Sequence, residues 1–172
     1  DSTINSIGIR GIYLGNYIRW DPTHQHQLMI KKYGYKSCKL PRTFDTYDHV
    51  DCYNYMNLHD ILKLYKRGYS KITDHVCREI RHKRITRIQG IELIKFYEHQ
   101  QPKHFEKFCE WLEIDSNSLE LVLNKSKNHR YWHQEDINKF KFTGPSTFLK
   151  KKNQNEMDEK IKIITKKEFI IN

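Results

Sequence analysis

Residues 73–90 read TDHVCREIRHKRITRIQG, an unusually charged stretch for the middle of a compact domain. Apolar positions are few, and arginine, lysine and histidine surround one aspartate and one glutamate. Charged side chains are rarely buried unless they are paired, so this stretch must be solvated, form ion pairs or line a site. We therefore expect much of any chemical site to lie here.

A helical wheel divides the first half of this stretch into polar and apolar stripes. Thr73 is the predicted cap of a helix over about 74–83, because threonine accepts from the first free backbone N–H groups. Side chains three and four positions apart share a face of such a helix. The resulting stripes are Asp74, Arg78 and Arg81; His75, Glu79 and His82; and, as the buried edge, Val76, Cys77 and Ile80.

The two polar stripes permit two interpretations. They could form a cleft wall, in which Arg78 and Arg81 hold a phosphate or carboxylate with their forked guanidinium groups. His75, close to Glu79, could then move a proton. Alternatively they form an exposed face with ion pairs at i,i+4 spacing, which spacing alone favours. The pairs expected in that case are Asp74 with Arg78 and Glu79 with Lys83.

Helical patterns continue on both sides. Thr86 and Gln89 have capping-box spacing, which predicts a helix to about Glu98, and Gly90 within it indicates close packing. Other predicted helices start at Asn57 and end at Gly68, open at Pro102, and are capped by Asp115 or Ser116. Residues 57–127 are thus predicted to form a small helical bundle. Residues 133–172 are predicted to be a basic, partly mobile tail with a possible strand at 161–164.

The first 34 residues show a different pattern. Residues 12–14 are a short apolar run that predicts a buried strand, and Asp21 can cap a helix over 22–33. A strand, loop and helix in this order are typical of an α/β sheet, which binds ligands at the carboxyl ends of its strands. The predicted fold class is mainly α, a helical bundle after this strand-loop-helix segment. The predicted domains are 1–34, 35–132 and 133–172.

Composition limits the classes of function. The chain has 172 residues and a formal charge of +10, which favours anionic partners such as nucleic acid, a membrane surface or phosphorylated substrates. A basic solvated surface explains the charge more simply. No apolar run reaches the length of a membrane span and no signal peptide is visible, so we expect a cytoplasmic protein without membrane contact. Basic and aromatic residues at 129–141 leave nucleic-acid binding as a less favoured alternative.

Cysteine and histidine spacing gives little support for a metal. The cysteines have no C-x-x-C pair and are interpreted as small buried apolar residues in a reducing compartment; they are Cys38, Cys52, Cys77 and Cys109. His24 and His26 diverge on a helix. A turn-rich loop could supply metal ligands, although aspartates in turns also bond their own backbone. The residues concerned are Asp45, Asp48, His49 and Asp51.

Three segments carry a resemblance to a known family. They are GIYLGNYIRWDP at 11–22, RTFDTYDHVDCYNYMNLHD at 42–60 and GYSKITDHVCREIRHKRITRIQGIELI at 68–94. Together they resemble the C-terminal part of the N-acetyl sugar amidotransferases of bacterial surface-polysaccharide biosynthesis, also called lipopolysaccharide or pseudaminic and legionaminic acid pathway proteins. The resemblance covers about residues 8–132.

This resemblance implies a fold and a reaction. Such enzymes look like PP-loop ATP pyrophosphatases, in which an N-terminal α/β domain with an S-G-G-x-D-S motif binds ATP with Mg²⁺. By analogy, the sugar acetamido oxygen attacks the α-phosphate of ATP, pyrophosphate leaves, and ammonia from a partner glutaminase displaces AMP to give an acetamidino group. This chain begins at Asp1 and contains no S-G-G-x-D-S, so we expect a C-terminal fragment that is inactive alone.

The resemblance also gives the charged residues a substrate. Arg78 and Arg81 would face an anionic portion of a sugar nucleotide or departing pyrophosphate. Asp74, His75 and Glu79 are the catalytic candidates, of which His75 or Asp74 could stabilise charge on the amide oxygen. Two further substrate-binding candidates, at the end of the predicted strand, are Arg19 and Asp21. A helical module that docks the glutaminase is the competing hypothesis.

Overall fold

The computed structural model describes residues 2–46, 55–137 and 139–148. The chain divides into two compact units, Asp1–Ser37 and Cys38–Asn172. The first unit contains α1 (Ser2–Ser6), a short 3-10 helix (Leu14–Asn16) and α2 (Pro22–Tyr33). None of the helices in the described part of the chain is long and apolar enough to cross a bilayer.

Helix α2 has the predicted bounds because local signals define both ends. The Asp21 carboxylate accepts from the backbone N–H of His24, and Pro22 occupies the first turn. At the other end Gly34 adopts a left-handed conformation, φ 66°, and its N–H donates to the carbonyl of Ile30. These contacts lie within a few residues of one another, so the sequence alone predicts them.

The predicted strand at 12–14 is wrong. Leu14 begins the 3-10 helix, and Ile12 and Tyr13 are 69% and 84% exposed. A strand needs a neighbouring strand to receive its backbone hydrogen bonds. Residues 2–37, the described part of this unit, contain no strand that could serve as that neighbour.

The second unit is mainly helical, which confirms the predicted fold class. Its helices are α3 (Met56–Arg67), α4 (Lys71–Arg81), α5 (Arg87–Tyr97), α6 (Phe105–Leu112) and α7 (Ser116–Lys125). They are followed by a two-stranded antiparallel hairpin and a 3-10 helix: β1 (Trp132–Asp136), β2 (Lys139–Phe142) and Pro145–Phe148.

Two apolar clusters hold these helices together. The first joins α4, α5 and the segment before α3; its buried members are Phe44, Ile72, Val76, Ile85 and Leu93. The second joins α3, α6 and α7; its buried members are Leu58, Cys109, Leu119 and Leu123. Each helix therefore turns an apolar stripe toward one of the clusters, as amphipathic helices do.

Local caps predict some helix starts, and tertiary contacts decide others. The Thr86–Gln89 capping box and the Asp115 cap are present as predicted. The predicted Thr73 cap is wrong, because α4 begins three residues earlier, at Lys71, with Ser70 in the cap position. The backbone N–H of Lys71 donates to the Asp60 carboxylate of α3 at 2.6 Å, so a distant side chain satisfies the first turn.

Two other predicted starts are also displaced. Helix α3 begins at Met56, and Asn57 lies inside it. Helix α6 begins at Phe105, three residues after Pro102, because His104 adopts a left-handed conformation with φ 63° and interrupts the helix there.

The hairpin was not predicted, and all of it after Trp132 lies within residues assigned to the tail. Trp132 is buried and packs edge-on against Tyr65 with ring centroids 5.0 Å apart. Lys127 places its ammonium group over three aromatic rings, at 4.1 Å from the centroid of Phe140 and 4.8–4.9 Å from those of Tyr65 and Trp132. The hairpin is therefore fixed to α3 by aromatic packing. Residues 150–160, which are rich in Lys, Asn and Glu and are therefore predicted to be mobile, and the predicted strand at 161–164 lie outside the described residues.

Two cysteines do not occupy the predicted environment. Cys109 is buried as expected, but Cys38 and Cys77 are exposed, and Cys52 is not among the described residues. The exposure of Cys77 follows from the orientation of α4, which turns Ile72 and Val76 toward the core instead.

Gly90 allows α5 to lie directly against α4. A methyl group at this position would lie 2.5 Å from Val76 Cγ1 and 3.1 Å from Ile80 Cδ1. Alanine favours helix by about 1 kcal/mol over glycine, but the buried, branched Val76 cannot yield easily. We expect Gly90→Ala to lower the free energy of unfolding by about 1–3 kcal/mol, measured by urea denaturation.

A second substitution provides the control for Gly90. Shortening Val76 to alanine removes the atom that the new methyl group meets, so Gly90→Ala should cost clearly less in that background. If the two substitutions were simply additive, contact with Val76 would not be the cause.

Candidate functional site

The segment 42–45 is buried although its sequence, Arg-Thr-Phe-Asp, is mostly polar. Arg42, Thr43 and Asp45 are 4%, 5% and 1% exposed, and Phe44 joins the apolar cluster. Buried polar side chains require hydrogen-bond partners. This segment finds them on α3, α4 and the end of α5, and it thereby builds two charged networks.

The first of these, the Asp45 network, consists of Asp45, His75, Arg78, Glu79 and Arg84. Arg78 lies between two carboxylates: its Nε donates to Glu79 Oε1 at 2.8 Å, and its Nη2 donates to Asp45 Oδ2. Arg84 also donates to both oxygens of Glu79. Two carboxylates thus face two guanidinium groups, which balances the buried charge.

His75 links this network to the backbone of the buried segment. Its Nδ1 lies 2.6 Å from Thr43 Oγ1, and its Nε2 lies 3.9 Å from Asp45 Oδ2. Thr43 Oγ1 also accepts the backbone N–H of Asp45 at 3.2 Å, so its own proton is available for Nδ1.

The network keeps its arginine charged. Burial by itself would lower the pKa of Arg78, but the Asp45 and Glu79 carboxylates outweigh it and raise that pKa. Glu79 has no exposed surface, and Arg78 is 17% and Arg84 25% exposed. The arginines therefore connect a buried carboxylate to the surface.

The second network centres on Arg42. Its Nε donates to Asp60 Oδ2 at 2.7 Å, and its Nη groups donate to the carbonyls of Glu98 and Gln100. Asp60 also caps α4 through Lys71. Arg42 therefore ties α3, the start of α4 and the end of α5 together.

Glu98 is a buried carboxyl group beside this network. Its side chain accepts from Ser146 Oγ and lies 3.6 Å from His99 Nε2. Burial raises the pKa of Glu98 to about 7, although Ser146 and Arg42 act in the opposite direction. Burial, together with the charge of Arg42, lowers the pKa of His99.

The connection from α4 to α5 exposes several cations. We call residues 81–87 the basic turn. Within the part of the chain that the structure describes, the side chains of Arg81, Lys83 and Arg87 are exposed and make no hydrogen bond or ion pair. Arg84, in the same turn, is anchored to Glu79. The result is a fixed backbone that presents free positive charge, which suits an anion.

The predicted site residues fall into separate groups. The structure brings His75, Arg78 and Glu79 together, and adds Asp45, which sequence reasoning considered only as a possible metal ligand. Asp74 is on another side of α4, where its carboxylate pairs with Lys63. Arg81 points into solvent. The remaining two candidates belong to the first unit, where Asp21 caps α2 and Arg19 precedes it.

The predicted surface ion pairs are also replaced. Asp74 pairs with Lys63 instead of Arg78, and Glu79 pairs with Arg78 and Arg84 instead of Lys83. The wheel treated Glu79 as part of an exposed or cleft-facing stripe, whereas its carboxylate is fully buried. The apolar residues Val76 and Ile72 were the available signal, because they lie one and two turns before Glu79 on the same inward face.

The described residues offer no evident metal site. Within 2–46, 55–137 and 139–148, no group of three His, Cys, Asp or Glu side chains is placed to hold an ion. Asp45 is engaged by Arg78. The other proposed ligands, Asp48, His49 and Asp51, lie outside the described residues.

Comparison with protein families adds an independent observation. Residues 41–144 match the family model described as LPS biosynthesis protein WbpG-like, C-terminal domain. The match begins one residue before Arg42 and includes both charged networks, the basic turn and the hairpin. A comparison with curated proteins found no match.

Proposed function

The chain belongs to the WbpG-like C-terminal domain family of LPS biosynthesis proteins, and from this premise we propose a specific reaction. We propose that the chain is the C-terminal region of an ATP-dependent amidotransferase that converts a sugar acetamido group to an acetamidino group. The family membership carries the proposal. The sugar-nucleotide substrate and a glutaminase partner that supplies ammonia are parts of it.

The cofactor would be bound mainly elsewhere. The sequence contains no S-G-G-x-D-S motif, and the described residues provide no carboxylate cluster for Mg²⁺. ATP with Mg²⁺ would supply the phosphoryl chemistry that activates the amide oxygen. We therefore assign binding of this cofactor to residues outside this chain, and assign to this chain contacts with the sugar nucleotide.

The basic turn is the part of this chain best suited to those contacts. A sugar nucleotide carries a diphosphate, and Arg81 and Lys83 are exposed cations without partners in the described part of the chain. Lys83 has a left-handed backbone, φ 60°, and the N–H of the next residue, Arg84, donates to the carbonyl of Glu79. The buried network below the turn holds this conformation.

This arrangement changes the expected roles of the predicted residues. Arg81 remains a direct substrate ligand in the proposal, whereas Arg78 acts by positioning the turn through Glu79 and Arg84. His75 remains the candidate for stabilising charge on the amide oxygen, and Asp74 and Glu79 remain catalytic candidates. Arg19 and Asp21 stay candidate substrate ligands.

Steady-state kinetics of the whole enzyme test this proposal. With ammonium salt as the nitrogen source, the enzyme should convert a nucleotide-linked N-acetyl sugar to its amidine, detected by mass spectrometry. Arg81→Ala and Lys83→Ala should each raise KM for the sugar nucleotide about tenfold with little change in kcat, because ground-state and transition-state binding are lost together.

A cation far from the turn provides the control. Lys107→Ala removes the same charge from the exposed face of α6 and should leave KM within about twofold. If no amidine forms with the intact enzyme, the reaction is wrong. If amidine forms but the turn variants behave like the Lys107 variant, only the assignment of the turn is wrong.

A further inference from the structure

A cleft of about 340 Å³ lies between α4 and α5. Val76 and Ile80 of α4 and Ile91 and Ile94 of α5 form its two main walls, and Ser146 lies on a third side. The cleft is within the usual size range of small-molecule sites, which are mostly apolar with a few placed polar groups. It belongs entirely to the second unit.

The walls are apolar because of the helical periodicity. Val76 and Ile80 are four positions apart on α4, and Ile91 and Ile94 are three apart on α5, so each pair shares one face. Ile80, Ile91 and Ile94 are only half-buried. An apolar chain in the cleft would cover surface that water now reaches, which is favourable.

The charged groups that line the cleft differ in whether they can pair with a ligand. Glu98 is 1% exposed, and its carboxyl group already accepts from Ser146. Arg87 also lines the cleft, but it is exposed and has no hydrogen bond or ion pair to any other described residue. It lies in the first turn of α5, where the helix dipole also favours an anion.

We propose that this cleft binds a small amphipathic anion, an aliphatic chain that ends in a carboxylate or a phosphate. The chain lies against Val76, Ile80, Ile91 and Ile94, and the anionic group pairs with Arg87. An uncharged apolar ligand would gain no ion pair from the guanidinium group, and a cationic one would be repelled by it. The net charge of +10 further favours an anion. This site goes beyond the proposed function, since a sugar nucleotide offers no aliphatic chain for these walls.

Calorimetric titration of the 172-residue chain with eight-carbon probes tests the site. Octanoate and octyl phosphate should bind at least tenfold more tightly than octylamine, and the tighter of the two identifies the anionic group. Arg87→Met keeps an apolar stem without the charge and should weaken octanoate binding about tenfold. Arg81→Met removes a neighbouring cation that does not line the cleft, so it should leave the affinity for octanoate unchanged.

A second variant tests the walls separately from the charge. Cys77 lines the cleft and is exposed, so Cys77→Trp should fill the space without disturbing the buried side of α4. It should abolish octanoate binding while the unfolding curve stays close to that of the parent chain. Equal affinities for octanoate and octylamine would overturn the proposal. So would equal losses in the Arg87 and Arg81 variants, or full binding by a folded Cys77→Trp chain.

Discussion

Replacing Glu79 by glutamine should lower the free energy of unfolding by about 3–5 kcal/mol. Glu79 is fully buried, and its two oxygens accept from Arg78 and Arg84. Glutamine has nearly the same volume but no charge, so Arg78 and Arg84 would both lose the negative charge of the buried carboxylate that they share. An uncompensated buried charge costs far more than a lost surface ion pair. Urea denaturation at neutral pH measures the difference.

The matched control is the other acid of the same helix. Asp74 is 49% exposed and pairs with Lys63 at the surface, so Asp74→Asn should cost at most about 1 kcal/mol. The two substitutions are chemically identical changes from carboxylate to amide. If they cost the same, the Asp45 network would not stabilise α4, and its proposed support of the basic turn would fail as well.

Glu98 should make the stability of the chain depend on pH. The folded protein holds the proton of this carboxyl group up to a pKa of about 7, against an ordinary value of 4.5. Its contribution to stability is therefore fully present below pH 4.5 and is lost as the pH rises through about 7. The difference corresponds to roughly 3 kcal/mol, at 1.36 kcal/mol for each pKa unit.

The comparison with Glu98→Gln isolates this effect. The variant cannot ionise, so the stability difference between variant and parent should shift in favour of the variant by up to roughly 3 kcal/mol between pH 4.5 and pH 8. His99 also titrates, but both proteins retain it. Ser146→Ala removes a hydrogen-bond donor that favours the charged form of Glu98. The pH at which stability is lost should therefore move higher. Parallel stability profiles of Glu98→Gln and the parent would contradict the prediction.

Helix ends with local signals were predictable. The bounds of α2 follow from Asp21, Pro22 and Gly34, and the starts of α5 and α7 follow from Thr86 and Asp115. In each case the bonded groups are four or fewer positions apart. Such contacts form whenever the helix forms, so they need no knowledge of the rest of the fold.

The candidate site was only partly predictable. The stretch 73–90 does carry His75, Arg78 and Glu79, and its charge does mark it as unusual. Periodicity, however, orders side chains around a helix without showing which side faces the core. The buried side includes Glu79 because two arginines neutralise it there, and one of them, Arg84, lies beyond the end of α4.

By itself the sequence determined the helical class, the local caps and the concentration of charge between α4 and α5. Tertiary structure alone decided that Arg42 and Asp45 are buried, that Asp60 starts α4, and that Arg78 is paired while Arg81 is free. The physical reason is distance along the chain. Asp45 is 33 positions from Arg78, so their ion pair exists only once α4 has packed against the segment before α3.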